Sequence, residues 1–285
     1  MDFKKIEWIF FLAFLGLNIF LFSTYQQAAS EENNVTHSDR TESLEKRLAN
    51  DDITYTGELS EEKYQGYYLS AEQANMADAI KKSSEEEASK QLKGDLSITD
   101  NVLTSYPGNT LTIDPEEPEK SLEKITSDPQ NILYGEEYYY REHFSKLNGE
   151  SMELEASPEY EGIPFQDDTA KLELTLEKDG SNLEVTKYSQ TYLTEIEKLR
   201  EKMDLYTEKE AVRTLYSNNK IPSGSKITWS ELAYTRSLQV REKNVYVPVW
   251  FIAIETSNNN VQVESVNALS NTIVTNNVIP KVENQ

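Results

Sequence analysis

The feature that most constrains this chain is an apolar run at its start. From Trp8 to Phe22 only Gly16 and Asn18 interrupt it, and extending back to Ile6 adds one charge, Glu7. At about 1.5 Å per helical residue the run reaches roughly 25 Å, enough to cross a thin bilayer or most of a typical one. Trp8 and Tyr25 stand near its two ends, where interfacial aromatics collect. Lys4 and Lys5 precede the run, and Glu31 and Glu32 follow it. Basic flanks stay on the cytoplasmic side, so the N-terminus is expected inside and the rest outside. A cleaved signal peptide is the competing reading. Its apolar region is usually about 7–15 residues and ends at a small-x-small site. Ser23, Ala28 and Ala29 form no convincing site. The expectation is an uncleaved anchor with its cytoplasmic tip in residues 1–23, then a polar stalk over 24–50.

Asn18 is the polar exception within the run. An amide in hydrocarbon needs a partner, and two are open to it. It can bond across to another spanning helix, sharing a face with Leu12, Leu15 and Phe22 at helical spacing. Alternatively it bonds a carbonyl of its own helix or lies near the interface.

Composition narrows the function. The chain has 285 residues, 28 Lys+Arg against 50 Asp+Glu, a net charge of −22, 2 His and no Cys. Without Cys there is no disulfide framework, thiolate metal site or cysteine nucleophile. The acidic balance disfavours nucleic acid and anionic lipid as main partners. A hydrophobic fraction of 37% is enough to bury a core.

Beyond the stalk the pattern predicts an α+β fold of two helix-on-antiparallel-sheet modules, over 51–150 and 151–285. In the first, Ile53–Thr56 and Tyr64–Leu69 read as strands. Ser70 with Gln73 reads as a capping box opening a helix from Ala71 to Lys93. Leu96–Leu103 and Thr110–Ile113 read as strands, Asp114–Lys120 as a proline-broken acidic loop, and Glu136–Leu147 as a short helix. In the second, Met152–Leu154, Tyr160–Phe165, Leu172–Glu177 and Leu183–Tyr192 read as strands, with a hairpin turn at Lys178–Ser181. Thr207 with Glu210 reads as a capping box for a helix through Tyr216. Lys226–Val240, Asn244–Glu255 and Val261–Leu269 then form an antiparallel meander. Pro248 argues for an edge strand or a bulge.

Candidate chemistry is sparse. His143 lies beside Arg141 and Glu142 with no base or orienting partner implied, and His37 falls in the stalk. Asp167-Asp168 and the acidic loop lack the alternating oxygen ligands of a calcium site. No phosphate-binding glycine loop, nucleophile elbow or metalloprotease motif occurs. The expectation is no catalytic residue, no metal and no cofactor. Tyrosine is abundant, and Tyr138, Tyr139 and Tyr140 mark a possible extracellular interface, because tyrosine is enriched at protein contacts. The bland alternative places half of that cluster in the core.

A resemblance adds to this reading. Lys4-Lys5-Ile6-Glu7-Trp8, Glu208–Val212 with Leu215-Tyr216, Gly224–Ile227, Val245–Trp250 and Val266-Asn267-Ala268 are similar, in order, to the YycI family. Asn271 stands where that family leads one to expect Gly. The resemblance implies a single-pass membrane protein with an extracytoplasmic domain and no enzyme activity. It implies that such a protein works with a YycH-like protein and a WalK-type sensor kinase, modulating control of cell-wall metabolism. The partners expected are thus those two proteins and the membrane, with no nucleic acid. An extracytoplasmic ligand-sensing module and a cell-wall-modifying enzyme are the rival readings.

Overall fold

A computed structural model of the protein describes residues 14, 18, 42–86, 91–275 and 281–282. Leu12, Leu15 and Phe22 lie outside them, as does most of the expected anchor. Among the described residues no helix is long and apolar enough to cross a membrane. Phe14 and Asn18 are both helical, and Asn18 Nδ2 donates to the Phe14 carbonyl at 3.0 Å. One of the two partners open to Asn18 is therefore its own helix.

The chain divides into two compact units, residues 1–52 and 53–285. In the first unit, α1 (Leu44–Asn50) begins at Ser43, whose side chain accepts from the Lys46 amide.

The second unit is built on two large sheets with two further two-stranded ones, and its fold is α+β with strand predominating. In chain order its main elements start with β1 (Leu69–Gln73), α2 (Met76–Glu86), β2 (Gly94–Thr99) and β3 (Val102–Pro107). Next come α3 (Pro118–Thr126), β4 (Met152–Ser157), β5 (Leu172–Asp179), β6 (Asn182–Gln190) and β7 (Leu193–Lys198). The series closes with α4 (Glu208–Ser217), β8 (Lys226–Val240), β9 (Lys243–Glu255) and β10 (Val261–Asn267).

The seven-stranded sheet runs β2-β3-β6-β5-β4 and ends at Tyr139–Tyr140, with Thr112–Ile113 also paired to β6. Every one of its strands comes from residues 94–190. The eight-stranded sheet centres on β8-β9-β10, and takes β1 and β7 from either side of that segment. Gln73 pairs with Leu193, and the Ala74 amide donates to the Tyr192 carbonyl at 2.8 Å. The chain therefore leaves the eight-stranded sheet after β1, builds the other sheet, and returns beside its point of departure. The expected division at residue 150 does not separate the sheets, because β4, β5 and β6 join the seven-stranded one. Strand periodicity assigns each strand a buried face but not the sheet that receives it.

Local expectations at the C-terminal end hold closely. Thr207 caps α4 with Glu210 in a reciprocal capping box. Ala211, Val212 and Leu215 are buried from that helix. The meander forms as expected, with β8 and β9 paired almost end to end. Pro248 lies within a central strand, not an edge. β1 pairs with Lys243–Tyr246 of β9 and β10 with Val249–Glu255, so Pro248 falls in the gap between two neighbours. No ladder donor is needed there, and the Pro248 carbonyl accepts from Ala268 N at 2.9 Å. Asn271, where Gly was expected, sits at φ 53, a left-handed conformation that Asn tolerates.

Several expectations in residues 51–150 are corrected. Ser70–Gln73 belongs to β1, and the following helix starts at Met76. Asn75 Oδ1 accepts from the Ala77 and Asp78 amides at 3.0 and 3.2 Å, so the cap is Asn75. Leu96–Leu103 is a hairpin, not one strand, turning at Asp100 and Asn101 with φ 50 and 64. Such paired positive φ values match the strand twist. The helix expected at Glu136–Leu147 is absent. Short 3₁₀ turns at Gly135–Glu137 and Glu142–Phe144 flank Tyr139–Tyr140, which pairs with β4.

Candidate functional site

The tyrosine cluster singled out from sequence is split by the structure. Tyr138 is 4% exposed and belongs to the core of the seven-stranded sheet, while Tyr139 is 50% exposed and Tyr140 half-buried. A two-residue strand explains this, since successive side chains point to opposite faces. Tyr138 OH donates to the Thr191 carbonyl at 2.6 Å. Burial pushes that hydroxyl's pKa far above its ordinary range, so it stays a donor.

The acidic stretch Asp114–Lys120 is not a loop throughout. Pro118 is at the first turn of α3, a position that tolerates its missing N–H. Leu122 and Ile125 are buried at helical spacing. Glu119 and Glu123 line the adjoining cavity. After α3 the chain turns back on itself. Asn131 Nδ2 donates to the Ile125 carbonyl at 3.2 Å, and Tyr188 OH donates to the Asn131 carbonyl at 2.9 Å. Gln190 Nε2 donates to the Leu133 carbonyl. The turn after α3 is thus tied to β6. Gly135 presses on the end of the helix: a Cβ there would lie 2.2 Å from the Thr126 carbonyl oxygen.

Two concavities flank this helix end. One, of about 420 Å³, is lined by Lys82 and Ser83 of α2 and by Thr126, Ser127, Leu133, Tyr134, Glu136 and Glu137 among others. The other, of about 410 Å³, is lined by Glu119, Leu122, Glu123, Thr126, Ser127, Glu136, Tyr138, Tyr139 and Tyr140. Thr126, Ser127 and Glu136 line both. Among the described residues the second cavity's lining carries three carboxylates and no cationic side chain. Tyr134 and Tyr192 pack with centroids 4.7 Å apart and planes tilted by 32°, and Tyr192 OH donates to Glu137 Oε2 at 2.6 Å. Burial, and then the bond to Glu137, raise the Tyr192 pKa.

The remaining candidates have structural partners. His143 is exposed and stacks on Trp229 of β8, with centroids 4.7 Å apart and planes 5° from parallel. Asp167 accepts from the Thr169 amide at 2.8 Å, the Thr169 hydroxyl, and the Arg236 amide at 2.7 Å. Burial raises its pKa against those bonds. Asp168 pairs with Arg236 at 2.9 Å. His37 lies outside the described residues. The lining residues not singled out from sequence are Glu123, Tyr134 and Glu136, whereas Glu119 belongs to the acidic loop weighed there. The signal for Glu123 is Pro118 followed by Leu122 and Ile125, a helix start masked by the acidic run.

A sequence profile described as YycI protein matches residues 31–269. No curated protein matches the chain. Among solved structures, a crystal structure of an uncharacterized protein from Eubacterium rectale is similar at 10% identity and a TM-score of 0.45. That match covers 79% of this chain and 91% of the other. So distant a likeness carries no argument.

Proposed function

The chain belongs to the YycI family, which ties it to the WalK (YycG) two-component system, and from that premise we propose that it is a non-catalytic, membrane-anchored regulator of the kinase. Its anchor is the run Ile6–Phe22, with the N-terminus cytoplasmic and the folded units outside. It acts with a YycH-like protein, through contacts of the spanning helix and of the exterior. A partner shifts a kinase between states only by its differential affinity for them. The face of Leu12, Leu15, Asn18 and Phe22 supplies that difference within the membrane. Asn18 donates one N–H to Phe14, which leaves its second N–H and its carbonyl oxygen for a neighbouring helix. Tyr139 and Tyr140 belong to the exterior contact.

The observation that carries this reading is the family match over residues 31–269. The uses found for His143, Asp167 and Asp168 favour a non-catalytic role, since each is engaged in packing or pairing. The test is purification of the tagged full-length protein from membranes of its own host. The kinase and a YycH-like protein in the eluate support the reading. Their absence, with the tagged protein intact, contradicts it.

A further inference from the structure

We propose that β2 is a docking edge for a second copy of this chain, the two copies pairing antiparallel about Ser97. This pairing is a matter of assembly and holds whether or not the chain acts on the kinase.

The edge is open. β2 closes one end of the seven-stranded sheet, and among the described residues it pairs with β3 alone. All six of its residues are exposed. Such an edge is a template for another strand unless something blunts it. β2 holds no Lys and no Pro, and its register with β3 runs without a bulge. Leu96 and Ile98 are 37% and 38% exposed. They pair with Ser105 and Leu103, both buried, and so lie on the covered face of the sheet, at its rim. An added strand extends that face past them.

Hydrogen-bond phase and side-chain pattern point to a second copy as the occupant. Asp100 and Asn101, with φ 50 and 64, make a two-residue turn between β2 and β3. Such a turn makes its flanking residues, Thr99 and Val102, a hydrogen-bonded pair. Alternation then turns the main-chain groups of Leu96 and Ile98 outward. Antiparallel pairing about Ser97 sets Leu96 of each copy opposite Ile98 of the other, so outward groups meet outward groups on both sides of a two-fold axis. The same register puts aliphatic against aliphatic on one face, and Asp95 against Thr99 on the other. The two Asp95 residues lie four positions apart along the strands, about 13 Å, beyond the screening length of about 8 Å at physiological salt. The exposed Lys93 of each copy comes beside the Asp100–Asn101 turn of the other. A strand that is complementary to itself fits the same patch on both subunits. The net charge of −22 opposes association at low salt, so the pairing is expected at physiological salt.

The absence of Cys from the sequence permits a register-specific test. Ser97→Cys and Thr99→Cys are made singly in the full chain, purified in mild detergent, concentrated at physiological salt and oxidised with copper phenanthroline. Across the axis Ser97 faces itself with Cα atoms about 4.5 Å apart, as in a non-hydrogen-bonded pair, within disulfide reach. The two Thr99 residues are about 13 Å apart along the strands, out of reach. Ser97→Cys should form a covalent dimer at least about tenfold faster than Thr99→Cys. Leu96→Lys/Ile98→Lys added to Ser97→Cys should abolish the crosslink. Val261→Lys/Val263→Lys, an equal change of charge at exposed residues of β10, should leave it unchanged. Crosslinking at position 99 as fast as at 97, or no dimer from either, overturns the inference. So does an undiminished crosslink in Leu96→Lys/Ile98→Lys, or its loss in both lysine variants. If the Leu96→Lys/Ile98→Lys variant does not fold, the comparison of positions 97 and 99 decides alone. Kinase output plays no part in this readout, so the dimer and the regulator stand or fall separately.

Discussion

Arg141 Nη2 stands 2.9 Å from Glu231 Oε1, joining the seven-stranded sheet's end to β8 of the other. Arg141 is 3% exposed, and Glu231 keeps more contact with solvent. Burial lowers the Arg141 pKa, while Glu231 opposes that fall. Beside the pair, Phe144 packs edge-on against Trp229 and Phe251, with centroids 5.2 and 5.8 Å apart. The two sheets are therefore clasped by charge and by aromatic packing at one place.

Removing one partner of a buried pair leaves the other charge uncompensated. Glu231→Gln is expected to destabilise the protein by about 2–3 kcal/mol, below the fully buried range because Glu231 is partly solvated. The double variant Arg141→Met/Glu231→Leu should recover part of the loss. Urea unfolding of the natural protein, Arg141→Met, Glu231→Leu and the double variant measures the coupling. A double-mutant coupling of about 1 kcal/mol or more is expected. Strict additivity would show that the pair does not couple the sheets.

The α4 cap gives a second prediction. The Thr207 hydroxyl accepts from the Glu210 amide at 3.3 Å, and Glu210 Oε2 accepts from the Thr207 amide at 2.8 Å. Thr207→Ala should cost about 1 kcal/mol, and Thr207→Ser much less. Thermal unfolding of both variants distinguishes a lost cap from lost packing, since a packing defect would lower both.

A third prediction concerns acid. Lys198 and Lys202 both pair with Glu161, at 2.6 and 3.0 Å. Their bonds hold the Glu161 pKa at about 2, below its ordinary 4.5. A depressed folded-state pKa stabilises above the ordinary value, and that contribution fades as pH falls through the folded value. The stability gap between the natural protein and Glu161→Gln should thus be largest above pH 4.5 and narrow toward pH 2. A gap constant across that window would mean the pairing is too solvated to matter.

What was legible in the sequence was what local chemistry decides. The Thr207–Glu210 box, the turn at Lys178–Ser181 and the bounds of β8 are set by neighbours a few residues apart. What was not legible depends on distant partners. Ser70–Gln73 carries a helix-start signature, yet pairing with β7 and β9 makes it a strand. Pro248 marks an edge by rule, and is tolerated in the centre because β1 and β10 meet on either side of it. The candidate site was half legible. Tyr139 could be picked for its neighbours, but Glu136 and the end of α3 join it only through the turn tied to β6.

The central claim is that this protein sets the output of the WalK kinase without chemistry of its own. The most direct measurement is a WalK-dependent transcriptional reporter in the host, with the chain deleted and then restored at native level. Deletion should change the output, and the full chain should return it to the starting value. Restoration by a chain carrying Leu12→Ala, Leu15→Ala, Asn18→Ala and Phe22→Ala should be incomplete at equal protein level. An output that is the same with and without the protein, at unchanged kinase abundance, would contradict the account.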